Sequence, residues 1–124
     1  IRCEMFDRVG MFMEELFIDY VDIEWGLRAY DHGYHCFGVA AAFMQHAIGD
    51  RMVSIPFLKK EIPLHSPRRD YYLMRNAVFL YRKHHIPGGW KLADGIRLPL
   101  RFIFYAATSK SRLKHLRMML LGLT

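Results

Sequence analysis

The run Leu16-Phe17-Ile18-Asp19-Tyr20-Val21-Asp22-Ile23-Glu24-Trp25-Gly26-Leu27-Arg28 gathers three carboxylates, a tryptophan and an arginine ahead of the turn residue Gly33. Its spacing predicts a helix from about Tyr20 to Tyr30, closed by Gly33 in a C-terminal cap position after Asp31-His32. In that frame Asp19 is the N-cap, and Asp22, three residues on, occupies the place of a capping-box acid. Glu24 and Arg28 are four apart, the favourable orientation for an exposed ion pair worth about 0.2–0.5 kcal/mol. On spacing alone, these charges are local helix chemistry.

Working outward, Glu4 to Val9 reads as a short helix ended by Gly10. Tyr34 to Met44 carries Tyr, Phe and Val with little charge and reads as an extended strand running toward His46. A loop or short hairpin follows from Gly49 to Pro67, because Pro56, Pro63 and Pro67 forbid long regular elements. Pro67 suits a first helical turn, and a helix to about His84 follows, with Tyr72, Val78, Phe79 and Tyr81 on its apolar face. Pro87-Gly88-Gly89 ends it. Trp90 to Ala107 reads as a further helical region, kinked or split at Gly95 and Pro99. In the last segment Leu113, Leu116, Leu120 and Leu123 recur at spacings of three and four, an amphipathic stripe with Lys110, Lys114 and Arg117 off it. The fold class expected is mainly α with a few short strands.

At 124 residues and 52% hydrophobic, the chain holds material for one core. It begins at Ile1 with no leader pattern, which reads as an excised piece of a longer protein, with 1–66 carrying the acidic motif and 67–124 a helical region. Cys3 and Cys36 make neither a disulfide framework nor a cysteine-based zinc module, which fits a reducing cytoplasm. Nor do His32, His35 and Cys36, or His84 and His85, have zinc-module spacing. The stretch Ile96 to Ala107, broken by Arg97, Pro99 and Arg101, falls short of the roughly 20 apolar residues that cross a bilayer. The net charge is +6, and it is uneven: acids outnumber bases up to Asp50, and bases dominate from Arg51 onward. That asymmetry suggests an acidic site beside a surface that meets phosphates.

Two motifs add a resemblance. Phe17-Ile18-Asp19-Tyr20-Val21-Asp22-Ile23-Glu24-Trp25 with Leu27-Arg28, then Gly33-Tyr34 and His46, resembles the C-terminal half of inverting nucleotide-sugar glycosyltransferases of the A fold (GT-A). More narrowly, it resembles the bacterial rhamnosyltransferase branch with its F-I-D-x-V-D-x-E-W run. Arg69-Asp70-Tyr71-Tyr72-Leu73-Met74-Arg75-Asn76 is similar to the R-x-Y-Y-x-x-R-N run of the same branch. The wider superfamily places an acid where Val21 stands here, so the likeness is to the branch.

The resemblance implies the acceptor-side, C-terminal portion of a GT-A domain that moves a sugar, rhamnose from dTDP-rhamnose, to a surface-polysaccharide or polyprenyl-linked acceptor with inversion. It implies that Asp22 is the general base, with Asp19, Glu24 and Trp25 shaping its site. A carboxylate suits that role because it accepts the proton of an attacking hydroxyl. The resemblance further implies that Arg69, Tyr72, Arg75 and Asn76 face the diphosphate or the acceptor; Arg offers a planar fork of donors for phosphate oxygens. His46 is implied on the side of a divalent metal, Mg or Mn, in the full-length enzyme. The D-x-D pattern that holds this metal in the family occurs nowhere in this chain, so the piece by itself is expected to be inactive and metal-free.

The basic tail reads first as a core-packing helix pair, and second as an interfacial helix on the inner face of an anionic plasma membrane. An apolar face left without its N-terminal half would make the piece a homodimer. The rival from another class is a non-enzymatic basic module for nucleic acid or anionic membrane, motivated by charge interleaved with aromatics. No helix-turn-helix, ribonucleoprotein or zinc-finger pattern accompanies it, so nucleic acid is not the partner expected.

Overall fold

Glu4 and Asp7 in the first turn and Arg8 in the last suit the helix dipole, and the first helix, α1, spans Glu4–Val9. It ends, as the sequence predicts, at Gly10, whose φ of 91° is one that glycine adopts at no steric cost. In this computed structural model residues 1–44, 51–55, 60–109 and 111–124 are described. A 3₁₀ turn at Glu14–Leu16 leads to α2, Val21–Asp31. Gly33, at φ 81°, closes α2, and the Gly33 and Tyr34 amides donate to the Tyr30 and Ala29 carbonyls.

The strand expected over Tyr34–Met44 is not formed: residues 34–44 hold no regular element, and Phe37, Val39, Phe43 and Met44 are exposed. A strand needs a neighbour to complete its ladder. Among the described residues the one sheet is a two-stranded antiparallel pair, β1 (Arg51–Ile55) and β2 (Lys60–Leu64), in register from Arg51 opposite Leu64 to Ile55 opposite Lys60. It lies within the stretch expected as a loop or short hairpin. The described residues are therefore mainly α, with strand content confined to this pair and no central sheet of a GT-A domain among them.

Pro67 opens α3 (Pro67–Tyr81) at its first turn, where its missing N–H costs nothing. The face of α3 that is buried carries Leu73, Met74, Ala77 and Leu80; the residues expected there, Tyr72, Val78, Phe79 and Tyr81, are only half-buried. Trp90 to Ala107 proves to be one helix, α4 (Gly88–Thr108), that runs through Pro99 without a split. The carbonyl that loses its donor there is that of Gly95, four residues back.

The last helix, α5 (Arg112–Gly122), corrects the sequence reading. Its core face is His115, Met119 and Gly122, while Leu113, Leu120 and Leu123 of the expected inward stripe are exposed. Gly122 explains the choice. A β-carbon there would lie 2.4 Å from the Tyr71 carbonyl oxygen and 2.8 Å from Met74 Cβ, so the two helices cross at a distance only glycine permits. Gly122→Ala is expected to lower the unfolding free energy by about 1–3 kcal/mol, read as a shifted urea midpoint with unchanged slope. An unmoved midpoint would mean that α5 does not sit this close.

The main core gathers Tyr20, Leu73, Met74, Leu80, Leu98 and Met119 from α3, α4, α5 and the residue before α2. A smaller cluster of Val9, Trp25 and Ala29 seals α1 against α2, with Met5, Phe6 and Tyr34 at its edge. The start of α2 thus sits between two packed bodies.

Candidate active site

The turn that delivers α2 is built from unfavourable backbone. Phe17, Asp19 and Tyr20 have φ of 57°, 63° and 65°, left-handed conformations that cost a non-glycine residue about 1–3 kcal/mol each. They persist because α3 holds the turn. The side chain of Asn76, fully buried, donates through Nδ2 to the carbonyls of Leu16 (2.8 Å), Ile18 (2.7 Å) and Asp19 (3.1 Å). Two amide hydrogens thus serve three acceptors.

Arg69 grips Asp19 with its fork, Nε to Oδ2 at 2.9 Å and Nη2 to Oδ1 at 2.8 Å, the bidentate geometry that makes guanidinium–carboxylate pairs strong. Arg75 donates to Asn76 Oδ1 at 3.0 and 2.9 Å, fixing the amide, and also to the Glu15 carbonyl. Its guanidinium lies 5.0 Å from the Tyr72 ring centroid, and Tyr72 packs on Phe17 at 5.1 Å. The two motifs, fifty residues apart, are therefore each other's partners. Arg69, Tyr72, Arg75 and Asn76, which the resemblance turns toward the diphosphate or the acceptor, are in contact with the acidic turn.

The three acids separate in consequence. Asp19 does not cap α2; the helix begins at Val21 after Tyr20 with no side-chain cap, because Arg69 has taken the Asp19 carboxylate. Glu24 is fully buried, bonded to Arg28 (2.9 and 3.1 Å) and to His85 Nε2 (2.9 Å). The exposed ion pair expected from spacing is thus a buried one. Arg28 also donates to the carbonyls of Val9 and Met11, both at 2.7 Å, and Trp25 Nε1 to that of Gly10 at 2.8 Å. Asp22 is different: it stands exposed in the first turn of α2, with no partner among the described residues. Residues two apart on a helix differ by about 200° around its axis, so Glu24 faces the core when Asp22 faces out.

Behind the turn, the Tyr20 hydroxyl donates to the buried Asp94 carboxylate at 3.0 Å, Tyr81 does the same at 3.0 Å, and Arg101 Nη1 approaches Tyr20 Oη at 3.3 Å. Asp94 is the only acid between Tyr71 and Thr124, and that isolation was the only sequence hint of its role. Burial, ahead of the Asp94 charge, holds the Tyr20 and Tyr81 hydroxyls well above the usual phenol range. A second buried pair, His115 Nδ1 with Asp70 Oδ2 at 2.5 Å, lies under Tyr105, stacked on the imidazole at 5.1 Å. Burial raises the Asp70 carboxyl against the lowering effect of His115, and pushes Tyr105 up to about 12.

These phenols give a pH prediction. The unfolded chain releases the Tyr105 proton near pH ~10, and the folded state keeps it to about 12. A group raised on folding gives its full stabilisation below the unfolded value and loses it as pH rises through the folded one. The melting temperature should therefore fall from about pH 10 upward, and fall less steeply in Tyr105→Phe. Identical slopes for the two proteins would contradict the assignment.

Among the described residues no group of three or more His, Cys, Asp or Glu comes together as a metal site. His46 lies outside the described residues. His85, noticed in the sequence only as half of His84-His85, belongs instead to Glu24.

No family model and no solved structure matches the chain. Among curated proteins, the chain is 40% identical over 114 residues to the dTDP-rhamnosyl transferase RfbF of Shigella flexneri, a match that takes in 92% of this chain and 38% of that protein. The chain thus spans well under half the length of the relative it matches. Matched at this identity across nearly its whole extent, with the acidic and R-x-Y-Y-x-x-R-N runs locked together in its fold, the chain is similar to one part of a dTDP-rhamnosyl transferase, which supports reading it as a rhamnosyltransferase-like glycosyltransferase segment.

Proposed function

We propose that this segment is the acceptor side of an inverting sugar transferase that moves rhamnose from dTDP-rhamnose to a saccharide, free or polyprenyl-linked, on the cytoplasmic face of the envelope. The observation that carries the reading is the sorting of the acidic run: Asp19 and Glu24 are consumed by Arg69, Arg28 and His85, and Asp22 is left free at the end of a braced turn. The similarity to a dTDP-rhamnosyl transferase supports the sugar and the donor.

In this reading Asp22 takes the proton of the acceptor hydroxyl as its oxygen bonds to the anomeric carbon. The bond from that carbon to the phosphate oxygen breaks on the opposite face, the diphosphate leaves with the electron pair, and the configuration inverts. In the first turn of α2, Asp22 stands at the helix end that favours a negative charge. The clamp of Asn76 and Arg69 fixes the direction from which α2 presents that carboxylate. Such positioning matters because small misplacements of a reacting group are costly in rate. No step assigned to these residues passes through the Mg or Mn ion that the resemblance implies.

The test is transfer by the full-length protein from dTDP-rhamnose to a saccharide acceptor, with the new linkage read by NMR. The expected product has the anomeric configuration opposite to the donor's. Retention would exclude the single-displacement mechanism, and transfer from other nucleotide sugars only would exclude the donor.

A further inference from the structure

The exposed faces of α4 and α5 both carry aliphatic side chains. On α4, Leu92, Ile96, Leu100 and Ile103 are each between 59% and 69% exposed, and their spacings of four, four and three keep them on one side of the helix. The row extends roughly 16 Å at the α-helical rise. On α5, Leu113, Leu120, Leu121 and Leu123 are exposed to solvent as well. The two faces join. Pro99, Phe102 and Ile103 share a shallow recess of about 500 Å³ with Leu123, and Leu113, Leu116, Leu120 and Leu121 share the next, about 520 Å³, with Thr124.

The charge around this surface has one sign. From Gly95 to Thr124 the sequence contains no Asp or Glu, while Arg97, Arg112, Lys114 and Arg117 are exposed there. Long basic side chains beside an aliphatic ridge can lay their stems on apolar material and keep their charges at an anionic surface. The aliphatic residues crown two adjacent helices and line only shallow recesses, which suits a broad deformable apolar phase better than a single inserted peptide. No helix among the described residues is long and apolar enough to cross a membrane, so the surface would lie on a bilayer and not span it.

We infer that the joined outer face of α4 and α5 is a docking surface for an anionic lipid bilayer, the aliphatic residues entering the headgroup boundary and the four basic residues pairing with lipid phosphates. This stands apart from the transfer reading, since its test measures no turnover.

The full-length protein is sedimented with vesicles of phosphatidylcholine alone and with vesicles containing phosphatidylglycerol. Binding is expected to the second and not the first. Each basic residue near an anionic surface is worth about fivefold in partitioning, so Arg112→Gln with Lys114→Gln and Arg117→Gln should weaken binding about 100-fold. Ile96→Ser with Leu100→Ser and Leu120→Ser should abolish it at unchanged circular dichroism, all three sites being exposed. Equal binding to both vesicles, no binding to either, or undiminished binding by both variants overturns the proposal. So does duplex DNA competing for the same arginines when vesicles do not bind. If the serine variant splits a dimer and leaves vesicle binding intact, the face belongs to a second copy and the proposal fails.

Discussion

Asp22→Asn in the full-length protein is expected to cut kcat by about 10²–10⁴, the usual contribution of a positioned general base, while costing in stability no more than the roughly 0.3–1 kcal/mol of a first-turn charge. Both halves of the expectation come from one observation. Asp22 is exposed and has no partner among the described residues, so the isosteric amide removes no native contact and leaves the fold alone. Asn cannot take up the acceptor proton, so the loss falls on the chemical step and not on acceptor binding. KM for the acceptor should therefore change far less than kcat. A rise in KM alone would make Asp22 a binding residue.

Glu24→Ala is expected to do the reverse. It strips a fully buried carboxylate from Arg28 and His85, leaving buried cationic and polar groups with nothing to meet them. Breaking a buried pair from one side costs about 3–5 kcal/mol, a large share of the roughly 5–15 kcal/mol by which domains are stable. The damage should spread beyond the pair. Arg28 also ties the carbonyls of Val9 and Met11 to α2, so α1 and the Gly10 turn should loosen, seen as faster amide exchange over residues 4–11. Arg28→Ala should reproduce most of the loss, and the double variant should cost less than the sum of the two. Denaturant midpoints check this; additive effects would show that the two side chains do not act as a pair.

The contrast between these two residues shows what a sequence can and cannot carry. Local signals were legible: α1 ends at a glycine that needs positive φ, α2 closes on Gly33, and Pro67 opens α3. Both motifs of the candidate site were visible as residue patterns. Their relation was not, because Asn76 reaches the carbonyls of Leu16, Ile18 and Asp19 across some sixty residues of chain, and no local spacing encodes such a contact. The left-handed turn was hidden for the same reason: Phe17, Asp19 and Tyr20 have no intrinsic preference for it, and only the clamp from α3 supports it.

The last helix failed for a subtler reason. Leu113, Leu116, Leu120 and Leu123 repeat at helical spacing, but so do His115, Met119 and Gly122. Periodicity finds a stripe and cannot say which of two stripes faces inward. The choice was made by the absent side chain of Gly122, which lets α3 approach, and by the Asp70 carboxyl waiting for His115. Hydrophobicity alone voted for the other face. Likewise the strand read over Tyr34–Met44 has suitable residues but no neighbouring strand among those described to complete it.

The central claim is that one acid of the run does chemistry and its neighbours hold it in place. The most direct test is the single-turnover rate of Asp22→Asn, at saturating dTDP-rhamnose and acceptor, measured on protein that melts cooperatively and has the wild-type circular dichroism. A rate lower by about 10² or more from this folded protein is the predicted result. A wild-type rate from that same folded protein would contradict it.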